Sequence, residues 1–211
     1  LLIYLGLNTV TRRETVFQKR GFGILAVVLM ALVLVILASS YQRMLLYEDA
    51  YGFSQLRLYT HIFILWLGAL LIASIVLVIL RRPGHFALAL LVATIGFGLT
   101  FGMMNIDGYI VQQNVARAME GKELDSSYLS ELSDDSVPVM FSLYNDPNLP
   151  AFIHDGLGGE LTCRVLKMTP EEPDHWRGYN WGRSQAAALL TAQKDALISR
   201  YQDKSSVEPH V

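Results

Sequence analysis

The chain has 211 residues, of which 52% are apolar, with 17 Lys/Arg, 19 Asp/Glu and a single cysteine, Cys163. One cysteine excludes an internal disulfide framework and a thiolate pair for zinc. The charge is unevenly spread: residues 1–104 carry eight Lys/Arg against three Asp/Glu, and residues 105–211 carry nine against sixteen, so the halves have net charges of +5 and −7. The acidic half lacks a basic cluster to neutralise phosphates, which argues against nucleic acid as a partner.

The opening Leu1-Leu2-Ile3-Tyr4-Leu5-Gly6-Leu7 lacks the basic start of a signal peptide and reads as the end of a preceding membrane span. Residues 11–20 follow as a connector with Arg12, Arg13, Lys19 and Arg20 against Glu14 alone. Residues 1–20 are therefore expected to end an earlier span and form a basic cytoplasmic loop. On this reading the chain is the C-terminal part of a longer protein, and its missing N-terminal transmembrane helices are among its partners.

Residues 21–104 read as a membrane region. Three runs, at about 22–40, 58–80 and 86–104, contain no Asp, Glu, Lys or Arg. At about 1.5 Å per helical residue, each is long enough to cross a hydrocarbon core of ~30 Å. Arg81 and Arg82 make the second short loop basic, like the first connector, so both are expected on the cytoplasmic side. The crossing at residues 43–59 then lies outside, as does everything after Met104. Tyr51-Gly52 is its expected bend, and Tyr41, Tyr47, Tyr51, Phe53 and Tyr59 form an aromatic belt, with Arg43 and Arg57 snorkelling outward. Glu48 and Asp49 are expected to pair with Arg43 and Arg57. His61, about one turn inside the second span, reads either as a proton or ligand site or as an interfacial histidine bonded to its neighbours. In the third span Gly98 and Gly102 form a Gly-x-x-x-Gly pair, the expected helix-packing face, within this protein or in a homodimer.

A resemblance emerges at these residues. Arg43-Met44-Leu45-Leu46-Tyr47, Tyr51-Gly52-Phe53, Leu56-Arg57-Leu58-Tyr59 and Trp66 are followed by Asn105-Ile106-Asp107, Asn114-Val115-Ala116-Arg117, residues 124–133 and Trp176-Arg177-Gly178-Tyr179-Asn180-Trp181. In this order they resemble a bacterial multi-pass family known as domain of unknown function 4173, related to 4153. The resemblance implies an integral membrane protein with further N-terminal spans and brings no reaction, ligand or catalytic residue.

Residues 105–211 read as an acidic, mainly helical extramembrane domain. Ile106, Ile110, Val111, Val115, Ala118 and Met119 recur at spacings of three and four, which predicts a helix over 106–120 ended by Gly121. Asp125 is expected to cap a short helix with Tyr128, Leu129 and Leu132 inward, and Asp134 to cap another with Pro138 in its first turn. Gly156, Gly158 and Gly159 read as a turn-rich patch, residues 161–168 as strand or helix, and residues 184–201 as one helix with Ala187, Leu190, Leu197 and Tyr201 on its face. The rings of residues 176–181 are expected to pack the loop beneath that helix, against the alternative of stacking on a glycan or headgroups.

Chemistry is sparse. The five histidines lack the pairwise helical spacing of a zinc site, although His154-Asp155 and Asp174-His175 offer one if they meet; no Gly-x-Ser-x-Gly elbow occurs, and Cys163 has no local activating partner. No catalytic, cofactor-binding or metal-binding residue is assigned. The expected topology gathers Arg43, Glu48, Asp49, Arg57, Asn105, Asp107 and Arg117 at the outer membrane surface, as an ion-paired clasp or the rim of a site. The overall expectation is an all-α, polytopic helical membrane protein of the bacterial cytoplasmic membrane, with three full transmembrane helices and an extracytoplasmic C-terminal domain. Its expected role is an accessory, assembly or sensing component of the cell envelope. The alternatives are a membrane enzyme on an envelope or lipid substrate, or part of a transporter; the lipid bilayer is a partner in all three.

Overall fold

A computed structural model describes residue 6, residues 16–168 and residues 180–205. Among these the chain is all helical, without a strand. Contacts divide it into two compact units, Leu1–Met104 and Asn105–Val211. The basic residues Arg12 and Arg13, together with His175 and Trp176, lie outside the described residues.

The first unit is built on helices α1 (Val16–Tyr51), α2 (Gln55–Ile79) and α3 (Phe86–Met103). Each is long and apolar enough to cross a membrane, and only 6–17% of their apolar windows is buried inside the protein. Outward-facing Ile24, Leu32, Ile36, Ile72 and Leu91 are more than half exposed, a pattern that suits surroundings of lipid rather than water.

α1 corrects the expected boundary. It does not end near Ser40 but continues through Arg43, Glu48 and Asp49, so the expected crossing of seventeen residues shrinks to residues 52–54. No Gly or Pro interrupts the chain from Ile24 to Tyr51, and propensity carries the helix past the charges. The turn comes at Gly52, whose φ of 81° lies in the left-handed region that glycine adopts without strain. At 36 residues, α1 is about 54 Å long, well beyond the hydrocarbon thickness.

α1 and α2 pack through Ala26, Met30 and Leu71, flanked by Leu34, Leu37, Leu67, Ile75 and Val78. α2 and α3 meet at Gly96, where the Trp66 indole occupies the space a Cβ would need, and Trp66 Nε1 donates to Thr100 Oγ1 at 3.1 Å. By contrast, a Cβ at Gly98 or Gly102 would meet nothing within 4 Å, so the small-residue contact seen inside this unit lies one face round, at Gly96 and Thr100.

The second unit holds α4 (Ile106–Met119), α5 (Ser126–Glu131), α6 (Val137–Tyr144), α7 (Ala151–Lys167), α8 (Trp181–Ala192) and α9 (Lys194–Ser205). α7 packs against α5, α6, α8 and α9, and its Ile153, Leu157 and Leu161 are fully buried. Ile110 and Val111 of α4, Leu129, Val137 and Met140 complete a conventional core.

Three expectations are corrected here. Gly156, Gly158 and Gly159 lie inside the continuous helix α7 rather than in a turn; residues 161–167 take the helical one of their two expected conformations. Gly158 is there because the Tyr201 ring fills the position of its missing Cβ. The expected helix over 184–201 is two helices broken at Gln193, with Ala186 rather than Ala187 the more deeply buried of the pair. Asp134 does not cap α6; it opens a 3₁₀ turn, Asp134–Ser136, and its carboxylate faces Arg164 at 3.5 Å and Arg183 at 3.7 Å.

The other end signals fold as read. Asp125 Oδ1 accepts from Tyr128 N at 3.0 Å, Pro138 stands in the first turn of α6, and Gly121 closes α4 with φ of 91°. Asn180 Oδ1 caps α8 through Gly182 N, leaving Trp181 73% exposed instead of packed beneath the helix.

Candidate functional site: a buried carboxylate and imidazole in the hairpin

The turn end of the α1/α2 hairpin holds the feature of the first unit that packing alone does not explain. Glu48 is 3% exposed and His61 8% exposed, and Glu48 Oε1 lies 3.0 Å from His61 Nδ1. The Tyr41 ring lies against the imidazole, with centroids 4.8 Å apart and planes tilted by 58°. Tyr41 and Glu48 are seven residues apart, two turns of α1, and so share the face that α2 covers. His61 meets both of them from α2, the other helix of the hairpin.

Arg57 tightens the same end. Its Nη1 donates to the Gly52 carbonyl, its guanidinium stands 5.9 Å over the Tyr51 ring, and it acts electrostatically on Glu48. The other imidazole nitrogen, Nε2, is buried without a hydrogen-bond partner among the described residues. Charged groups removed from water need a partner, and those in membrane helices concentrate where function needs them.

The seven residues expected as a clasp divide between the two units. Arg43 and Asp49 are exposed on α1, while the Glu48 carboxylate lies against His61 rather than Arg43 or Arg57. Asn105 and Asp107 serve their own unit: Asn105 Oδ1 accepts from Gly108 N at 2.7 Å, Asn105 Nδ2 donates to the Asp135 carbonyl at 2.7 Å, and Asp107 Oδ2 accepts from Ser133 N at 2.9 Å. These bonds tie the start of α4 to the turn before α6. Arg117 is half-buried on α4.

Two polar groupings stand in the second unit: one, at Arg164, lay outside the sequence reading, and the other holds His154 and Asp155, whose expected counterparts Asp174 and His175 lie outside the described residues. Arg164 reaches Glu160 at 2.8 Å and donates to the carbonyls of Leu129, Leu132 and Ser133. Burial nevertheless pushes the Glu160 carboxyl above its ordinary range, against the pull of Arg164. Tyr201 Oη lies 3.2 Å from His154 Nδ1 and 3.3 Å from Asp155 Oδ1, with the Tyr144 ring against His154 at 4.2 Å. Burial, reinforced by Tyr144, raises the Tyr201 phenol well beyond its usual value, so it stays protonated and acts as a donor. Among the described residues no group of three His, Cys, Asp or Glu side chains is placed to hold a metal ion.

The model of domain of unknown function 4153 matches residues 1–143, which takes in the whole first unit and the second as far as α6. The chain belongs to this family. No curated protein and no solved structure gives a match. Membership of the 4153 family agrees with three apolar helices and carries no assigned reaction. Glu48, His61 and Tyr41 all fall within the matched residues, whereas the His154, Asp155 and Tyr201 grouping lies beyond them. One signal for the pair was visible in sequence: a lone histidine in an apolar run opposite a carboxylate close to a two-helix turn. Without the length of α1, no spacing rule connects them.

Proposed function

We propose that this member of the 4153 family is an integral protein of the bacterial cytoplasmic membrane and acts as a sensing or accessory component of the cell envelope. The observation that carries the reading is the buried Glu48 and His61 pair, a titratable site built into a hairpin whose outer faces are otherwise apolar. A purely structural hairpin would gain more from apolar packing at the same positions.

The orientation follows from short-loop charge. Arg20 at the start of α1 and Arg81 and Arg82 after α2 share the end of the hairpin away from Gly52, which supports a cytoplasmic position for that end. The Gly52 turn and residues 105–211 are then extracytoplasmic. The motif order supports kinship with family 4173 inside this wider group.

The test compares a strain lacking the gene with strains carrying Glu48→Gln or a chain cut after Met104, scored for growth and envelope permeability across external pH. Glu48→Gln should reproduce the defect of the deletion strain. Full complementation by Glu48→Gln at every pH would contradict a sensing role for the pair.

A further inference from the structure

We infer that Arg20, Arg81 and Arg82, at the end of the hairpin away from Gly52, form a binding site for the phosphate of an anionic phospholipid whose acyl chains lie along the apolar ends of α1 and α2. The inference goes beyond the proposed function and needs only that the first unit sits in a bilayer, whichever way round.

Register brings the cations together. α1 and α2 are antiparallel, and a Cβ at Gly23 would stand 3.8 Å from Val78 Cγ1, so the two helices meet there. Arg20 lies three residues back along α1 from Gly23, and Arg81 three residues on from Val78, so both steps lead the same way out of the seam. Arg20, Arg81 and Arg82 are exposed, and none forms an ion pair among the described residues. From residue 15 to residue 104 the only Asp or Glu are Glu48 and Asp49. At about 1.5 Å per residue, Glu48 is roughly 42 Å along α1 from Arg20. Among the described residues of the first unit, these cations therefore have no carboxylate within reach.

Arg81 also stands where glycine is the usual choice. Arg81 N donates to the Val78 carbonyl at 3.1 Å and Arg82 N to the Leu77 carbonyl at 3.0 Å, the two bonds that close a helix through a left-handed residue. Arg81 accordingly has φ of 54°, the positive φ of a non-glycine among the described residues. Glycine would adopt it without strain, so the arginine keeps its guanidinium at the helix end against a conformational cost, which points to use. The flanks decide between a lipid and a free anion. Ile79 and Leu80 just before Arg81, and Ile24 and Leu25 about one turn after Arg20, are exposed on the apolar helices. Guanidinium groups offer paired donors to phosphate oxygens, and these side chains offer an apolar wall directly beneath, which suits a headgroup with its chains.

The test titrates the full chain, in a neutral detergent, with phosphatidylglycerol or phosphatidylcholine of the same acyl chains and counts bound lipid by native mass spectrometry. Each cation should be worth about fivefold in affinity, so wild type should prefer phosphatidylglycerol by on the order of a hundredfold. The preference should vanish in the triple variant Arg20→Gln, Arg81→Gly, Arg82→Gln. Equal affinity of wild type for both lipids, or an unchanged preference in the triple variant, overturns the site. Arg81→Gly alone relieves the backbone, so it should melt no lower than wild type in phosphatidylcholine while losing about fivefold in phosphatidylglycerol affinity. Full affinity in this folded variant would overturn the role of Arg81. Arg43→Gln, towards the other end of α1, should keep the preference; an equal loss there would mean diffuse charge attraction and overturn a site at this end. Excess inorganic phosphate should leave lipid binding unchanged, and displacement by it would contradict the lipid assignment. These readings involve neither sidedness nor sensing, so failure of the lipid site and failure of the proposed function give different results.

Discussion

The two units use the same apolar residue types in opposite ways. In the first, leucines and isoleucines such as Ile24, Leu32 and Leu91 point outward, and cohesion among the described residues comes from a narrow seam, a tryptophan seated on a glycine and the buried contact of Glu48 with His61. In the second, Ile110, Leu129, Ile153 and Leu161 are fully buried, and charged groups are spent on fixing helix ends. The difference is one of solvent. Where lipid surrounds a helix, apolar area drives no association, so shape and sparse polar contacts decide the packing; where water does, burial itself supplies the energy.

The largest effect that would sharpen this contrast is expected at Arg164. Replacing it with Ala strands the buried Glu160 and unpins three carbonyls at the end of α5, which should destabilise the second unit by about 3–5 kcal/mol. The deficit has a sign in pH. Burial already raises the Glu160 carboxyl, so the folded state holds its proton at higher pH than the unfolded chain, and stability from this group is present in acid and lost as pH rises. Denaturant midpoints of Arg164→Ala should therefore approach wild type on acidification through the carboxylate range.

A direct comparison of solvents follows from one substitution made in both units. Leu161→Ala, at a fully buried site, should lose about 2–5 kcal/mol, while Leu32→Ala on the lipid-facing side of α1 should change stability far less. Similar losses at the two sites would break the contrast. Within the membrane unit, Gly96→Val drives a side chain into the Trp66 indole and should cost about 1–3 kcal/mol with loss of the Thr100 hydrogen bond, read from Trp fluorescence. Gly98→Ala, with open space around it, should be neutral within that unit and matters only if another helix covers that face.

The smallest effect belongs to the cap of α5. Asp125→Ala should lose about 1 kcal/mol. The hydrogen bond from Ser127 holds this carboxyl below its ordinary range, so its contribution is present above the unfolded-state value and fades as pH falls through the folded one. A thermal melt series in mild acid checks this, since the variant and wild type should converge there.

These residues also show what the sequence could tell. The three spans were legible because an uncharged run of that length has few homes other than a bilayer, and α4, α5 and Gly121 were legible because caps and periodicity act locally. The extension of α1 through Glu48 was not, because charges after an apolar run resemble a loop until a partner across the hairpin is known. The glycines of α7 misled for a related reason: Gly158 answers to Tyr201, forty-three positions away, and no local rule contains that contact. The break at Gln193 was hidden because Ala186, Leu190, Leu197 and Tyr201 keep helical spacing straight through it. The Glu48 and His61 pairing needed the length of α1, and was missed with it.

The central proposal is that the two units work in different media, with residues 105–211 in water on the extracytoplasmic side. The sole native thiol, Cys163 on α7, is half-exposed and reports on it without any substitution. Intact cells treated with a membrane-impermeant maleimide should label Cys163, to the same extent as cells opened under conditions that keep the protein folded. Labelling confined to opened cells, with the protein still folded, would place the acidic unit in the cytoplasm and contradict the account.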